Sequence, residues 1–290
     1  MEGLERDWSD VMGFDRLPTH IVGKRVTELM DLTGKKAIVI GAGGDGLGQA
    51  VANRLAGLGA DIALVGRTFE KVERRAKEIE QRWGVNTVPI AADMSDWDQV
   101  HRAVRDSHAA LGGLDIMVNN PVMVVAGPFE QHTKEDIDHT MLGSLTMMMY
   151  GAHAALEYLL PQGSGKIINI GAVGGRMQHR GLVVYNAAKA GVIGFTRNLA
   201  HEMAPRGVNV LGVAPGIMIK PDMREYLLDP QNDRERAARG AIVEAIDNYV
   251  QLGRVGLPEE IANMVAYLAT EAADYMCGQT IDVAGGQFMN

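Results

Sequence analysis

Tyr185 and Lys189 stand four residues apart in Tyr185-Asn186-Ala187-Ala188-Lys189. On a helix that spacing puts both side chains on one face. An ammonium beside a phenol favours the phenolate and lowers its pKa toward working pH, which suits Tyr185 to exchange a proton with a carbonyl or hydroxyl oxygen. A second chemical cluster is Gly41-Ala42-Gly43-Gly44-Asp45-Gly46-Leu47-Gly48. Where such a run follows a strand and opens a helix, the missing side chains let the backbone turn tightly and aim N–H groups at a pyrophosphate. Asp93-Met94 ends a further expected strand, where a short carboxylate can accept from an adenine amino group, and Asn119-Asn120 ends the next. Gly66-Arg67 ends another, with a guanidinium where an NAD site usually has a carboxylate for the ribose 2′-hydroxyl. A 2′-phosphate is then the better guest, so NADP is favoured and NAD is the alternative. Asp45 works against that preference, because its charge would lie near phosphates.

These residues need a frame that gathers them at one edge. Residues 37–40 are a short apolar run before the glycines, and 50–58 have helical spacing after them. The alternation continues through strands at 62–65, 87–90, 116–118 and 167–170, with helices at 72–79, 100–111 and within 134–160. A helix over about 185–203, a strand at 208–213, a helix opened by Pro258 and a last strand at 280–283 complete it. Residues 217 to about 252 read as irregular. Strands separated by helices predict a doubly wound α/β fold: one domain, one parallel sheet, ligands outside the carboxyl ends of its strands. Residues 1–33 precede this scheme as an N-terminal extension, a flexible arm or a segment packing on a neighbouring subunit; the domain covers 34–290.

The chain has 290 residues, 47% of them hydrophobic, enough for one substantial core. A net charge of −8 without a basic stripe opposes binding to a nucleic-acid backbone. The single Cys277 cannot form an internal disulfide, so a cytoplasmic location is the default expectation. No apolar stretch has the length of a membrane span, and the first thirty residues lack the pattern of a signal peptide.

The Tyr185-to-Lys189 segment, with Ala190-Gly191, Lys166-Ile167-Ile168-Asn169-Ile170, Pro215-Gly216 and the closing residues 278–286, resembles the short-chain dehydrogenase/reductase family in content and order. The resemblance covers about 32–290 and implies a Rossmann-type fold. It assigns acid/base work to Tyr185 and ribose binding to Lys189. Gly41, Gly43, Gly46, Leu47, Gly48, Arg67, Asp93, Met94, Asn119, Pro215 and Gly216 join them as expected cofactor contacts. It also implies a homodimer or homotetramer.

Four departures stand out. The family's serine, thirteen residues before the tyrosine, is Ala172 here; loss of one such preorganised donor costs roughly 3 to 4 kcal/mol. Gln178 or His179 could supply a donor instead. The structural asparagine of the fourth helix corresponds to Ser144, which could hold a relay water. The threonine after Pro-Gly corresponds to Lys220, a candidate partner for an anionic substrate group or the cofactor phosphates. The glycine turn is one residue longer than usual, which with the leading arm is similar to members acting on ring-containing acyl-CoA intermediates. Met218, with Met223, Tyr226, Leu227 and Leu228, and with Met123, Met147 to Met149 and Met177, suggests a hydrophobic substrate, cyclic or acyl-CoA-linked. The expected reaction is NADP(H)-dependent interconversion of a ketone and a secondary alcohol. The alternatives are a non-redox reaction using Tyr185 and a catalytically degraded binding subunit.

Overall fold

The computed structural model describes residues 13, 17–220 and 223–289, with the backbone alone for Tyr226 and Arg234. Part of the expected N-terminal extension, residues 1–12 and 14–16, lies outside the described residues. The end of that extension packs on the body: Leu32 is buried and its N–H donates to Leu58 O at 2.7 Å.

Seven strands form the sheet: β1 (Lys36–Ile40), β2 (Asp61–Gly66), β3 (Thr87–Ala91), β4 (Ile116–Asn119), β5 (Gly165–Ile170), β6 (Val208–Pro215) and β7 (Thr280–Val283). Their order is β3-β2-β1-β4-β5-β6-β7 and every pairing is parallel. Side chains alternate across a strand, and both faces are apolar. Val39, Leu64 and Val118 join one core, whereas Ile38, Ile40, Val65 and Met117 join the other.

Helices α1 (Leu47–Gly57), α2 (Phe69–Trp83) and α9 (Pro258–Ala269) cover the first face through Val51, Leu55, Val72, Ile79 and Val265. On the second lie α3 (Trp97–Leu111), α5 (Met147–Gln162) and α6 (Val183–Met203), through Val100, Val104, Ala155, Leu159 and Met203. No helix among the described residues is long and apolar enough to cross a membrane.

Two segments depart from expectation. The helix expected within 134–160 is α4 (Lys134–Met141), a π-helical turn (Leu142–Thr146) and α5. Gly143 lets Met123 pack against the wide turn: a Cβ there would stand 2.2 Å from Met123 Cβ. The stretch read as irregular contains α7 (Met223–Leu228) and α8 (Asp233–Tyr249). Asn232 caps α8 by accepting from the Glu235 N–H at 3.0 Å. Its apolar stripe is weak and it sits largely exposed, so periodicity could not reveal it.

Candidate active site

The strand order reverses between β1 and β4, and there a crevice opens at the carboxyl ends of the strands, as this architecture predicts. Gly41 begins the turn after β1 with φ +78°; a Cβ on it would meet Asn120 O at 2.7 Å, and one on Gly48 would meet Gly41 O at 2.2 Å. Only glycine lets the turn close against α1 and β4 in this way. Gly46 is the N-cap of α1 and no side chain caps that end, so the first N–H groups and the positive end of the helix dipole stay available to an anion.

A cavity of about 460 Å³ lies over this turn. Of the expected cofactor residues, Gly41, Gly43, Gly46, Leu47, Gly48, Arg67 and Met94 line it. Lys71, in the first turn of α2 and four residues after Arg67, also lines it and was not expected; its signal was the spacing of two cations after a strand. Lys220 reaches over the turn, with Cε 3.5 Å from where a Gly46 Cβ would stand. Asp45, expected to repel phosphate, is paired with Arg75 of α2, which draws its charge away from the anion cradle.

Two expected contacts fall elsewhere. Asn119 is fully buried and donates to Asn169 Oδ1 at 3.0 Å, while Asn169 donates to Thr196 Oγ1 at 3.1 Å. This chain ties β4 and β5 to α6, and the neighbouring Asn120 lines the cavity instead, because successive strand residues face opposite ways. Asp93 Oδ1 accepts from Ser95 N–H at 2.9 Å and from the Ser95 hydroxyl at 2.7 Å. Those two bonds hold its pKa below the usual carboxylate value. Asp93 thus shapes the end of β3 rather than lining the cavity.

A second cavity of about 290 Å³ shares Leu47, Asn120, Pro121, Val122 and Met218 with the first and continues it over β5 and β6. Tyr185, Lys189, Pro215, Gly216, His179 and Ala172 line it. Lys189, 2% exposed, donates to Ile170 O at 2.9 Å. Burial pushes its pKa down to about 7, and burial pushes the Tyr185 phenol up to about 12. The expectation that Lys189 lowers the Tyr185 pKa is therefore corrected for this geometry. Desolvation penalises both charges, and here it outweighs the field of the ammonium.

His179 Nε2 lies 3.1 Å from Gln287 Nε2. Gln287 Oε1 accepts from the Ile217 N–H at 3.0 Å, so the amide turns its NH₂ to the imidazole. His179 Nε2 then accepts, and the neutral ring carries its proton on Nδ1, which is enclosed without a partner. Burial holds the His179 pKa below its ordinary value, favouring that neutral form. Gln287 was not singled out in the sequence; nothing in its local pattern marks it. Gln178 is exposed and outside both cavities.

Ser144, expected to hold a relay water, is fully buried in the π turn and donates to Met123 O at 2.6 Å. It lines neither cavity, so its proton anchors the segment after β4. Of the apolar candidates, Met218, Met123 and Met147 line the crevice, Met148 is core, and Met149 and Leu228 are exposed.

Comparison with known proteins agrees with this geometry. A 3-oxoacyl-(acyl-carrier-protein) reductase of Aquifex aeolicus is 33% identical over 257 residues, covering 89% of this chain and 98% of that protein. The Vibrio cholerae protein of the same description is 37% identical over 260 residues, covering 90% and 100%. The structure of L-sorbose reductase from Gluconobacter frateurii, complexed with NADPH and L-sorbose, superimposes with a TM-score of 0.83 at 25% identity, covering 90% of this chain and 99% of that one. The short chain dehydrogenase family model matches residues 35–232, a span that takes in the glycine turn and the Tyr185–Lys189 helix together. The chain belongs to the short chain dehydrogenase family and is an oxidoreductase of the NAD(P)-binding type.

Proposed function

We propose that this protein interconverts a ketone and a secondary alcohol with NADP(H), on a hydrophobic substrate that is cyclic or thioester-linked. The observation that carries the reading is the continuity of the two cavities: one crevice runs from the glycine turn to Tyr185, sharing Leu47, Asn120, Pro121, Val122 and Met218. The uncapped end of α1 suits a pyrophosphate. Arg67 and Lys71, with Asp45 neutralised by Arg75, suit a 2′-phosphate. Lys220, over the glycine turn, suits the bridging phosphates. A bound nicotinamide supplies or accepts the hydride.

The residues of the chain do the rest. Tyr185 gives its proton to the carbonyl oxygen in reduction and recovers one in oxidation; a phenol held near 12 is fully protonated at neutral pH and ready for the first task. Lys189 binds the ribose and carries positive charge close to Tyr185. Ala172 offers no donor, and His179, which lines the Tyr185 cavity and is held by Gln287, takes the place of the absent serine once its imidazole turns Nδ1–H from its enclosed position toward the substrate oxygen. Val122, Val173, Leu182 and Met218 give that end an apolar wall, in keeping with an acyl or ring-bearing ketone. The activities of the reductases similar to this chain support the same class. A cytoplasmic homodimer or homotetramer, with residues 1–33 as an extension to the 34–290 domain, completes the proposal.

Titration with NADPH and NADH, followed by nicotinamide fluorescence, tests it directly. Tighter binding of NADPH, then loss of reduced-nicotinamide absorbance with cyclic ketones or 3-oxoacyl thioesters, is expected. Binding of neither nucleotide would overturn the proposal; binding without turnover across the panel would transfer Tyr185 to non-redox proton transfer.

A further inference from the structure

On the outer face of α3 and α5, away from the crevice, three side chains offer ligand atoms to one point. His101 of α3, with His153 and Glu157 of α5, brings together one such atom from each residue, all within 4.8 Å of one another. His101 Nε2 lies 3.0 Å from His153 Nδ1 and 3.4 Å from Glu157 Oε1. His153 and Glu157 share a helical face because they are four apart. His101 Nδ1 lies 2.9 Å from the Trp97 carbonyl oxygen. A carbonyl only accepts, so the neutral ring carries its proton on Nδ1 and turns the Nε2 lone pair toward the cluster. Orientation by a backbone carbonyl at the far ring nitrogen is the arrangement that prepares histidines for metal coordination. The Trp97 ring packs 4.1 Å from the His101 ring centroid and 4.7 Å from that of His153, restricting both imidazoles.

We propose that His101, His153 and Glu157 form a binding site for a divalent transition-metal ion of the zinc, nickel or copper class. Bonds of the usual Zn–N and Zn–O length separate tetrahedral ligand atoms by about 3.4 Å, close to the spacing here. Two imidazoles and one carboxylate select such ions over magnesium and calcium, which prefer oxygen alone. The fourth position faces solvent, since His153 and Glu157 are exposed. An ion held there clips α3 to α5 and stabilises the face they share, because it binds only where folding has assembled its ligands. The His101–His153 hydrogen bond and the His101–Glu157 contact are the interactions that an ion would replace.

The test uses the tag-free full chain, stripped with chelator. Calorimetry with Zn²⁺ is expected to show one saturable ion per chain, with a raised thermal midpoint, and no comparable binding of Mg²⁺. Cu²⁺ is expected to quench Trp97 emission, and Trp97→Phe to remove that quenching. His101→Gln and His153→Gln each weaken Zn²⁺ binding by about tenfold or more. Affinity unchanged in both, or no saturable binding by the unaltered chain, overturns the site. Should the histidine variants fail to fold, Glu157→Gln, on an exposed position, decides the matter: weaker binding supports the site and unchanged affinity removes it.

Discussion

Lys189 Nζ stands 5.7 Å from the ring centroid of Tyr185, on the same helix, while its hydrogen bond goes to Ile170 O. The lysine is thus held by the end of β5 rather than by the phenol. Its influence on Tyr185 acts through the field, and its ammonium has room for a further acceptor. Tyr185→Phe is expected to lower carbonyl reduction by at least about 10²-fold, the usual scale of a general acid, with NADPH affinity nearly unchanged. Lys189→Met should lose both, as read by steady-state kinetics beside fluorescence titration.

The buried lysine also makes stability depend on pH. Its folded pKa, about 7, lies below the unfolded value of 10.5, so between those limits the unfolded chain binds more protons and stability rises with pH, by up to about 1.4 kcal/mol per pH unit. This contribution is complete above pH 10.5 and is lost as pH falls through about 7. Tyr185, raised to about 12, acts oppositely: the stability it confers is complete below pH 10 and fades as pH climbs toward 12. Urea denaturation of the protein without nucleotide at pH 7, 8 and 9 should show the rise, and Lys189→Met should flatten it.

For the substrate oxygen, His179→Ala is expected to reduce kcat more than KM changes, because the donor is needed where charge develops. Ala172→Ser should recover part of the loss, and alone it should raise carbonyl reduction. Equal rates for His179→Ala and the unaltered protein would leave the absent serine without a substitute.

Cofactor choice rests on cations at the end of β2. Arg67→Asp is expected to lower NADPH affinity by roughly 10- to 100-fold, the range of one charged hydrogen bond, and to improve NADH. Arg75→Ala should also weaken NADPH, by releasing the Asp45 carboxylate toward the phosphates. Competition titrations with both nucleotides measure each effect.

The polar chain Asn119–Asn169–Thr196 is wholly buried. Asn169→Leu leaves two polar groups unpaired, and should destabilise the fold by about 1 to 3 kcal/mol for each in chemical denaturation, with Thr196→Val milder.

Periodicity alone determined most of the architecture: short apolar runs alternating with amphipathic segments admit little besides a doubly wound parallel sheet, and glycines between strand and helix mark where its crevice opens. Spacing also placed Tyr185 and Lys189 on one face, since that relation is local to a helix. Tertiary structure alone decided the rest. Whether Asn119 or Asn120 faces the crevice, where Ser144 spends its proton, and that Arg75 neutralises Asp45 depend on contacts between elements distant in sequence. The pairing of Gln287 with His179 spans 108 positions, and the pKa values of Tyr185 and Lys189 follow from burial that only packing creates.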